Sequence, residues 1–458
     1  MKILIRILLL SWCSLCAALA VNAAEQPNIV ILLADDMTWS DCEPYGSPNV
    51  KTPNMQALAE QGMRFDGMFT ATAMCAPTRQ QLYTGLFPIR SGAFPNHSKV
   101  RKGVKSIVHH LGELGYEVSL EGKQHFGPKE SFPFKSRNLA KTLKNTEGPF
   151  CHIVASSDPH KPWSTGDAKV YDPEKIIVPP NLIDTPHTRR QLCKYYAEIS
   201  HLDKKLGGIM ESLAKAKVAD NTILIFTSEQ GMTLPFGGKW TCYDTGLKTS
   251  FIVRWPGVVK PGSSNNALVQ YVDVVPTLVT IAGGDPSQID TGCANADGKR
   301  GFDGRSFLPV LKGDTKIFRK FVYGAQTTRG IFNGKDYPIR SARDDNYLYI
   351  RNLNHEGVFS NAYVLGGAYY KDFYQPLAAA AETSSKIKKR LKFFQHRPQE
   401  ELYDVRKDPY SLNNLAGSPE LAEVQTRLAK ELDSWMRQQK DKGLETEKTA
   451  PHRKGRMK

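Results

Sequence analysis

Beyond Cys13 and Cys16, which lie inside the N-terminal apolar stretch, the sequence has no Cys-x-x-Cys pair, and it has no internal repeat and no heptad array. The first absence argues against a structural zinc framework. The other two exclude a solenoid and a coiled coil. The apolar stretch from Ile7 to Ala20 is shorter than the roughly 20 residues a membrane-spanning helix needs. No helix-turn-helix and no aromatic-basic motif points to nucleic acid. Acidic side chains are the scarce charge: 46 Asp and Glu stand against 61 Lys and Arg, a net charge of +15. That balance favours an anionic partner, either a lipid surface or an acidic or sulfated substrate once nucleic acid is set aside. What is present is ample for a folded enzyme. The 458 residues are 40% hydrophobic and 10% aromatic, which excludes global disorder and supports a large core.

Lys2 and Arg6 precede the apolar stretch, and Val21-Asn22-Ala23-Ala24 follows it. This order reads as a secretory signal peptide over 1–23, cut after Ala23. Its removal takes away two basic residues and leaves +13. The mature chain is therefore expected to be secreted or periplasmic, with no membrane attachment. Six cysteines remain, and an exported chain can pair them, but their spacing fixes no pairing. A change of texture near Lys312-Gly313 divides the rest. We read a catalytic domain over 24–313, a smaller α+β subdomain over 314–444 and a disordered basic tail over 445–458.

Asn28 to Ala34 is a short β-branched apolar run that ends at Asp35-Asp36. It reads as a buried central strand. The pattern recurs. A strand runs into Gly122-Lys123-Gln124-His125, another from Phe150 to Ala155 stops before Asp158-Pro159-His160, and Thr222 to Thr227 leads to Ser228-Glu229-Gln230. Helices are predicted over Pro53–Gly62, Ile107–Gly115, Arg189–Ala214 and Pro419–Gln439. Strand, polar cluster and helix in succession predict an α/β fold with a mostly parallel sheet and its site at the strand C-termini.

Three carboxylates and an amide oxygen, from Asp35, Asp36, Glu229 and Gln230, form an all-oxygen set that suits a hard cation, Ca²⁺ first and Mg²⁺ second. The segment Cys75-Ala76-Pro77-Thr78-Arg79, followed by Thr84-Gly85, resembles the signature of the type I sulfatases. That resemblance implies that Cys75 is oxidised to formylglycine by a maturation enzyme and that an oxygen of this group joins the metal ligands. A thiol attacking a sulfate ester would leave a stable adduct. A geminal diol attacks with one hydroxyl and expels sulfate by re-forming the aldehyde with the other. Arg79 lies one helical turn from Cys75 and can hold the diol. Gly122-Lys123-Gln124-His125 matches the family's Gly-Lys-x-His element: Lys123 then bridges sulfate and diol, and His125 takes the proton that drives sulfate release. Asp158-Pro159-His160 implies a His160 contact to sulfate and leaving group, and Lys239 matches a cation near the leaving atom. Where sulfatases usually carry Asp followed by Asn or His, this chain has Glu229-Gln230, each one methylene longer.

The resemblance runs from about Asn28 to Trp435. It is nearest to the N-sulfoglucosamine sulfohydrolase branch, through Gly122–Phe134, Tyr323–Gln326 and Tyr337–Ser341. It implies an alkaline-phosphatase-like core with a small C-terminal α+β subdomain, and a sulfated oligosaccharide or polysaccharide as partner. Glycosaminoglycan-like and algal polymers both fit, with N-sulfate cleavage as the alternative and a non-catalytic glycan binder as a remote one. Arg340, Arg343 and His355 are candidates for reading the sugar. A phosphatase on the same fold would want Ser or Thr and zinc-binding histidines, which Cys75 and the oxygen ligands argue against.

Overall fold

A computed structural model describes residues 26–331 and 334–450. The predicted signal segment lies outside the described residues. Asn28–Ala34 (β1) is buried along its whole length. It sits inside an eight-stranded sheet with Met63–Phe65 (β2), Glu117–Gly122 (β3), Lys135–Ser136 (β4), Phe150–Ala155 (β5), Thr222–Ser228 (β6), Phe251–Arg254 (β7) and Ser263–Asn265 (β8). The spatial order is β4-β3-β5-β1-β6-β7-β2-β8. The central four, β3, β5, β1 and β6, run parallel. Only β7 runs against its neighbours, so the sheet is mostly parallel, as predicted.

Successive side chains of β1 point to opposite faces. Val30, Leu32 and Ala34 enter one core, and Ile29, Ile31 and Leu33 enter the other. Burial on both faces is why the run is continuously apolar. One core lies under the long helix Pro186–Lys215, which buries Leu192, Ile199, Leu202 and Leu206. The other takes Leu82 and Tyr83 from the helix Cys75–Thr84 (α1). The long helix is α2.

Beyond this core, Val322–Gln326 (β9), Ile339–Arg343 (β10), Tyr347–Asn352 (β11) and Glu400–Asp404 (β12) form a small antiparallel sheet in chain order. The helix Ala422–Gln438 (α3) packs on it, and Trp435 stacks on Tyr323 with ring centres 5.0 Å apart. This is the expected α+β unit.

Two expectations fail here. Arg340 does not read a sugar. It is buried in β10, with Nε 2.5 Å from Asp441 Oδ2 and Nη1 donating to the Gln326 and Ile339 carbonyls at 3.1 and 3.0 Å. Arg343 is likewise held by Asp244, at 3.0 Å. The disordered tail is also revised. Leu444–Thr449 forms a helix (α4) whose Glu447 is buried and accepts from Thr327 Oγ1 and the Thr328 amide. Residues 451–458 lie outside the described residues. Arg340→Ala leaves Asp441 buried without its partner, a change that costs about 3–5 kcal/mol. Denaturant unfolding should show that loss, while kcat/KM of the folded protein stays at the wild-type value.

The six described cysteines are buried and none is disulfide-bonded. No helix among the described residues is long and apolar enough to cross a membrane.

Candidate active site

The four central parallel strands end at one edge of the sheet, and the residue after each is tied to its neighbour. Lys123 N donates to Ala155 O at 2.9 Å, Ser156 N to Leu33 O at 2.9 Å, Asp35 N to Asp158 O at 2.9 Å, and Glu229 N to Ala34 O at 3.0 Å. Strand ends laced this way present their next side chains to one crevice. Gly122 makes the closest turn. Its φ is +88°, and a Cβ there would lie 2.1 Å from Ala155 O, so no other residue fits. Asp36 also takes a left-handed backbone, with φ 63°, which a short polar side chain tolerates.

Into this crevice α1 points its N-terminus, with Cys75 as its first residue. Every residue of α1 is buried, so its polar side chains must find partners inside. Thr78 Oγ1 donates to Thr72 O at 2.7 Å, and Gln81 Oε1 accepts from Ala71 N at 2.9 Å. The Cys75 thiol lies 3.4 Å from Asp35 Oδ1 and 3.8 Å from Asp36 Oδ1, and Gln230 Nε2 approaches Sγ at 3.4 Å. The positive end of the helix dipole thus meets the position where negative charge would develop. One turn on, Arg79 is fully buried, pairs with Glu229, lies 3.8 Å from Asp35 and donates to the Lys123 carbonyl at 2.8 Å.

Two lysines complete the basic wall. Lys123 Nζ ion-pairs with Asp35. Lys239, buried, holds Asp36 Oδ2, to which Thr233 Oγ1 also donates. His160 Nε2 lies 3.6 Å from that same oxygen, while its Nδ1 is fixed by the Lys161 carbonyl. The loop bearing His160 is anchored by Asp158, which accepts from His201 Nδ1 at 2.9 Å and Lys205 Nζ at 3.0 Å.

Ligand atoms of Asp35, Asp36, Cys75 and His160 lie within 4.8 Å of one another. Gln230 belongs beside them. Its Nε2 donates to Asp36 Oδ1 at 2.6 Å, and its Oε1 is buried without a partner among the described residues. Turning that amide over would aim the orphaned oxygen at the carboxylates, an arrangement that a cation between them satisfies. The oxygen donors of this group, from Asp35, Asp36 and Gln230, fit a hard divalent ion. Glu229, predicted as a ligand, reaches past this set: Oε1 pairs with Arg79, and Oε2 accepts from Gln230 at 3.3 Å. The extra methylene of Glu explains the reach.

The surroundings bias the proton positions. Burial works against the Asp35 carboxylate, but Lys123, His160 and Arg79 outweigh it and hold it well below the usual aspartate range. Burial pushes Glu229 up to about 8, with Arg79 only partly offsetting it. Burial, then the charges of Asp35 and Glu229, drives the Cys75 thiol well above its ordinary value, so the unmodified side chain is a poor nucleophile. Burial lowers His160, reinforced by Lys239.

Nine of the eleven predicted site residues thus meet here; His125, two residues past Lys123, feels the charges of Lys123, Arg79 and Asp35, and Arg340 lies elsewhere. Sequence reasoning missed Thr233, four residues past Glu229, and the aromatic group of Trp240, Tyr363 and Tyr369, whose rings pack edge to face beside Lys239. It also missed His97, which is hydrogen-bonded to His125. Thr233 was within reach of a motif reading, whereas His97 carried no local signal.

A sequence-family model described as Sulfatase matches residues 27–142 and 136–284. An ulvan-active sulfatase of Formosa agariphila is 34% identical over 437 residues, covering 91% of this chain and 81% of that protein. The chain belongs to the sulfatase family. Human N-sulphoglucosamine sulphohydrolase is 27% identical over 477 residues, covering 92% of each chain. A solved structure of a protein in complex with its substrate D-glucosamine-2-N,6-O-disulfate superposes with a TM-score of 0.71 at 20% identity, covering 91% of this chain and 99% of that one. This sulfatase therefore has the alkaline-phosphatase-like core that its sequence implied and is a sulfuric ester hydrolase.

Proposed function

We propose that this sulfatase removes O-sulfate groups from fragments of sulfated polysaccharide, with Cys75 converted to formylglycine by a maturation enzyme and with Ca²⁺, ahead of Mg²⁺, as its cation. The observation that carries the reading is Cys75 itself: buried at a helix N-terminus, between two aspartates and an amide, facing two lysines. The succession of charged, apolar and small residues from Lys2 to Ala24 in the sequence supports export to the periplasm or medium.

Formylglycine, as its hydrate, supplies one hydroxyl to attack sulfur and a second whose ionisation expels sulfate. The chain's own residues do the rest. Asp35, Asp36 and Gln230 are placed to hold the cation. Arg79, pinned by Glu229 and the Lys123 carbonyl, keeps a positive charge beside residue 75. Two aspartates, with Glu229 shifted towards its neutral form, stand against three cationic groups (Arg79, Lys123, Lys239), so the protein's own charge here is neutral to weakly positive. A divalent cation makes the site net positive, which matches a sulfate monoester and the charge that builds as its bond breaks. Lys123 and Lys239 flank the sulfate, and Lys239, held in its protonated form by Asp36, can give a proton to the leaving oxygen, with His160 Nε2 beside it. His125 takes the proton of the second hydroxyl.

The relative that shares 34% identity is named for activity on ulvan, and the one at 27% for N-sulfoglucosamine. This ranking favours an O-sulfated polysaccharide over N-sulfate cleavage. Sulfate release should be compared on O-sulfated deoxyhexose, galactose and hexosamine oligosaccharides and on N-sulfoglucosamine, with Cys75→Ala protein as blank. Release from an O-sulfated sugar alone is expected. Release from the N-sulfated sugar alone would transfer the assignment to the sulfamidase branch.

A further inference from the structure

His125 is one of a pair. Its Nε2 lies 2.7 Å from Nδ1 of His97, with ring centres 4.4 Å apart. Both residues hold left-handed backbones, φ 54° for His125 and 62° for His97. Positive φ is uncommon for a residue with a Cβ, and histidine is among the types that tolerate it. Two such residues, 28 positions apart in sequence, meet nitrogen to nitrogen. His125 Nδ1, by contrast, is buried with no partner among the described residues. His97 is exposed.

A neutral imidazole carries one proton, and the bond made by one nitrogen decides which nitrogen is bare. If Nε2–H of His125 donates to His97 Nδ1, the buried Nδ1 of His125 is left as a lone-pair base. If the bond runs the other way, Nδ1 carries the proton and cannot accept another. The charged groups that act on the His125 ring are Lys123, His97, Arg79 and Asp35. Burial, then Lys123, His97 and Arg79, takes the ring down to about 3, so it stays neutral at working pH. The tautomer is then the property left to set.

We propose that His97 is a positioning residue: by accepting the Nε2–H of His125 it fixes the tautomer whose Nδ1 is free to take the proton that accompanies sulfate release. The proton passes from the hydroxyl oxygen to Nδ1, and the transient imidazolium keeps its Nε2–H on His97. This rests on the reading of His125 as proton acceptor given above.

The pair of variants that tests it is His97→Gly and His97→Asn. Glycine keeps the left-handed backbone and removes the acceptor. Asparagine tolerates the same backbone and places Oδ1 near the former Nδ1. In the formylglycine-bearing enzyme, His97→Gly should lower kcat about tenfold or more, the scale seen when a partner that orients a ring is removed. KM should stay within about twofold and His97→Asn should recover most of the rate, since the loss is confined to the transition state. A raised KM with unchanged kcat would make His97 a substrate contact and overturn the proposal, as would a wild-type rate in His97→Gly. A second readout needs no turnover. In ¹⁵N-histidine-labelled protein with Cys75 unmodified, the His125 signals, assigned by their loss in His125→Gln, should show a protonated Nε2 and a bare Nδ1. A protonated Nδ1 in the wild-type protein overturns the proposal. Full activity in His125→Gln would instead defeat the catalytic reading, while the tautomer measurement would still report on the pairing.

Discussion

Cys75→Ala abolishes sulfate release and leaves the fold intact. Residue 75 opens α1, where alanine is a better helix former than cysteine. The lost Sγ makes three long contacts, to Asp35, Asp36 and Gln230, at 3.4 to 3.8 Å, and none anchors the backbone. Arg79, Thr78 and Gln81 keep α1 in place through their own buried partners. Stability should therefore change by about 1 kcal/mol or less, the scale of a small side chain trimmed without exposing a charge. The rate should fall by roughly 10⁴-fold or more, as expected when the nucleophile of a covalent mechanism is removed. Cys75→Ser sharpens the test. Its single hydroxyl can attack sulfur but has no second hydroxyl to expel sulfate, so at most one equivalent of alcohol product is released and the enzyme stalls as a sulfated serine. Full turnover in the alanine variant would remove residue 75 from the chemistry.

Much of the fold was legible because its central strands are buried on both faces. That burial writes Asn28–Ala34, Phe150–Ala155 and Thr222–Ser228 as short runs dominated by apolar side chains, and the polar residues that follow them are those that ring the crevice. The C-terminal sheet reads less well. In β10 the sequence Ile-Arg-Ser-Ala-Arg carries two charges, which signals a surface segment. The structure neutralises them with Asp441 and Asp244, which lie about a hundred positions away in opposite directions. No local pattern announces a partner at that distance, so Arg340 read as a free recognition group. The pairing of His97 with His125 was hidden for the same reason. The acids of the cation site were found because they follow strands, while the deflection of Glu229 towards Arg79 depends on where one methylene reaches.

Removal of the cation should silence the enzyme, and Ca²⁺ should restore it. Asp35 and Asp36 are fully buried and lie side by side, and like charges so placed repel each other. Lys239, Thr233 and Gln230 Nε2 offset Asp36 in part, yet Gln230 Oε1 stays without a partner among the described residues. A cation held by Asp35, Asp36 and Gln230 would answer both at once, offsetting the two carboxylates and giving the amide oxygen a partner. Ca²⁺ tolerates irregular oxygen sets such as two aspartates and an amide, whereas Mg²⁺ demands near-octahedral geometry. Prolonged chelation should abolish sulfate release, and Ca²⁺ should recover it more fully than Mg²⁺. The binding itself can be followed without turnover. At a hundred times its Kd a bound ion stabilises the fold by about 2.7 kcal/mol, so Tm should rise on adding Ca²⁺ to chelated protein. The rise should persist in Cys75→Ala and should shift to much higher Ca²⁺ concentrations in Asp36→Asn, which removes half of the paired charge. That contrast separates the ion's site from the nucleophile beside it. An enzyme indifferent to exhaustive chelation would take Asp35, Asp36 and Gln230 out of cation binding and leave their burial beside Cys75 to be explained by the lysines alone.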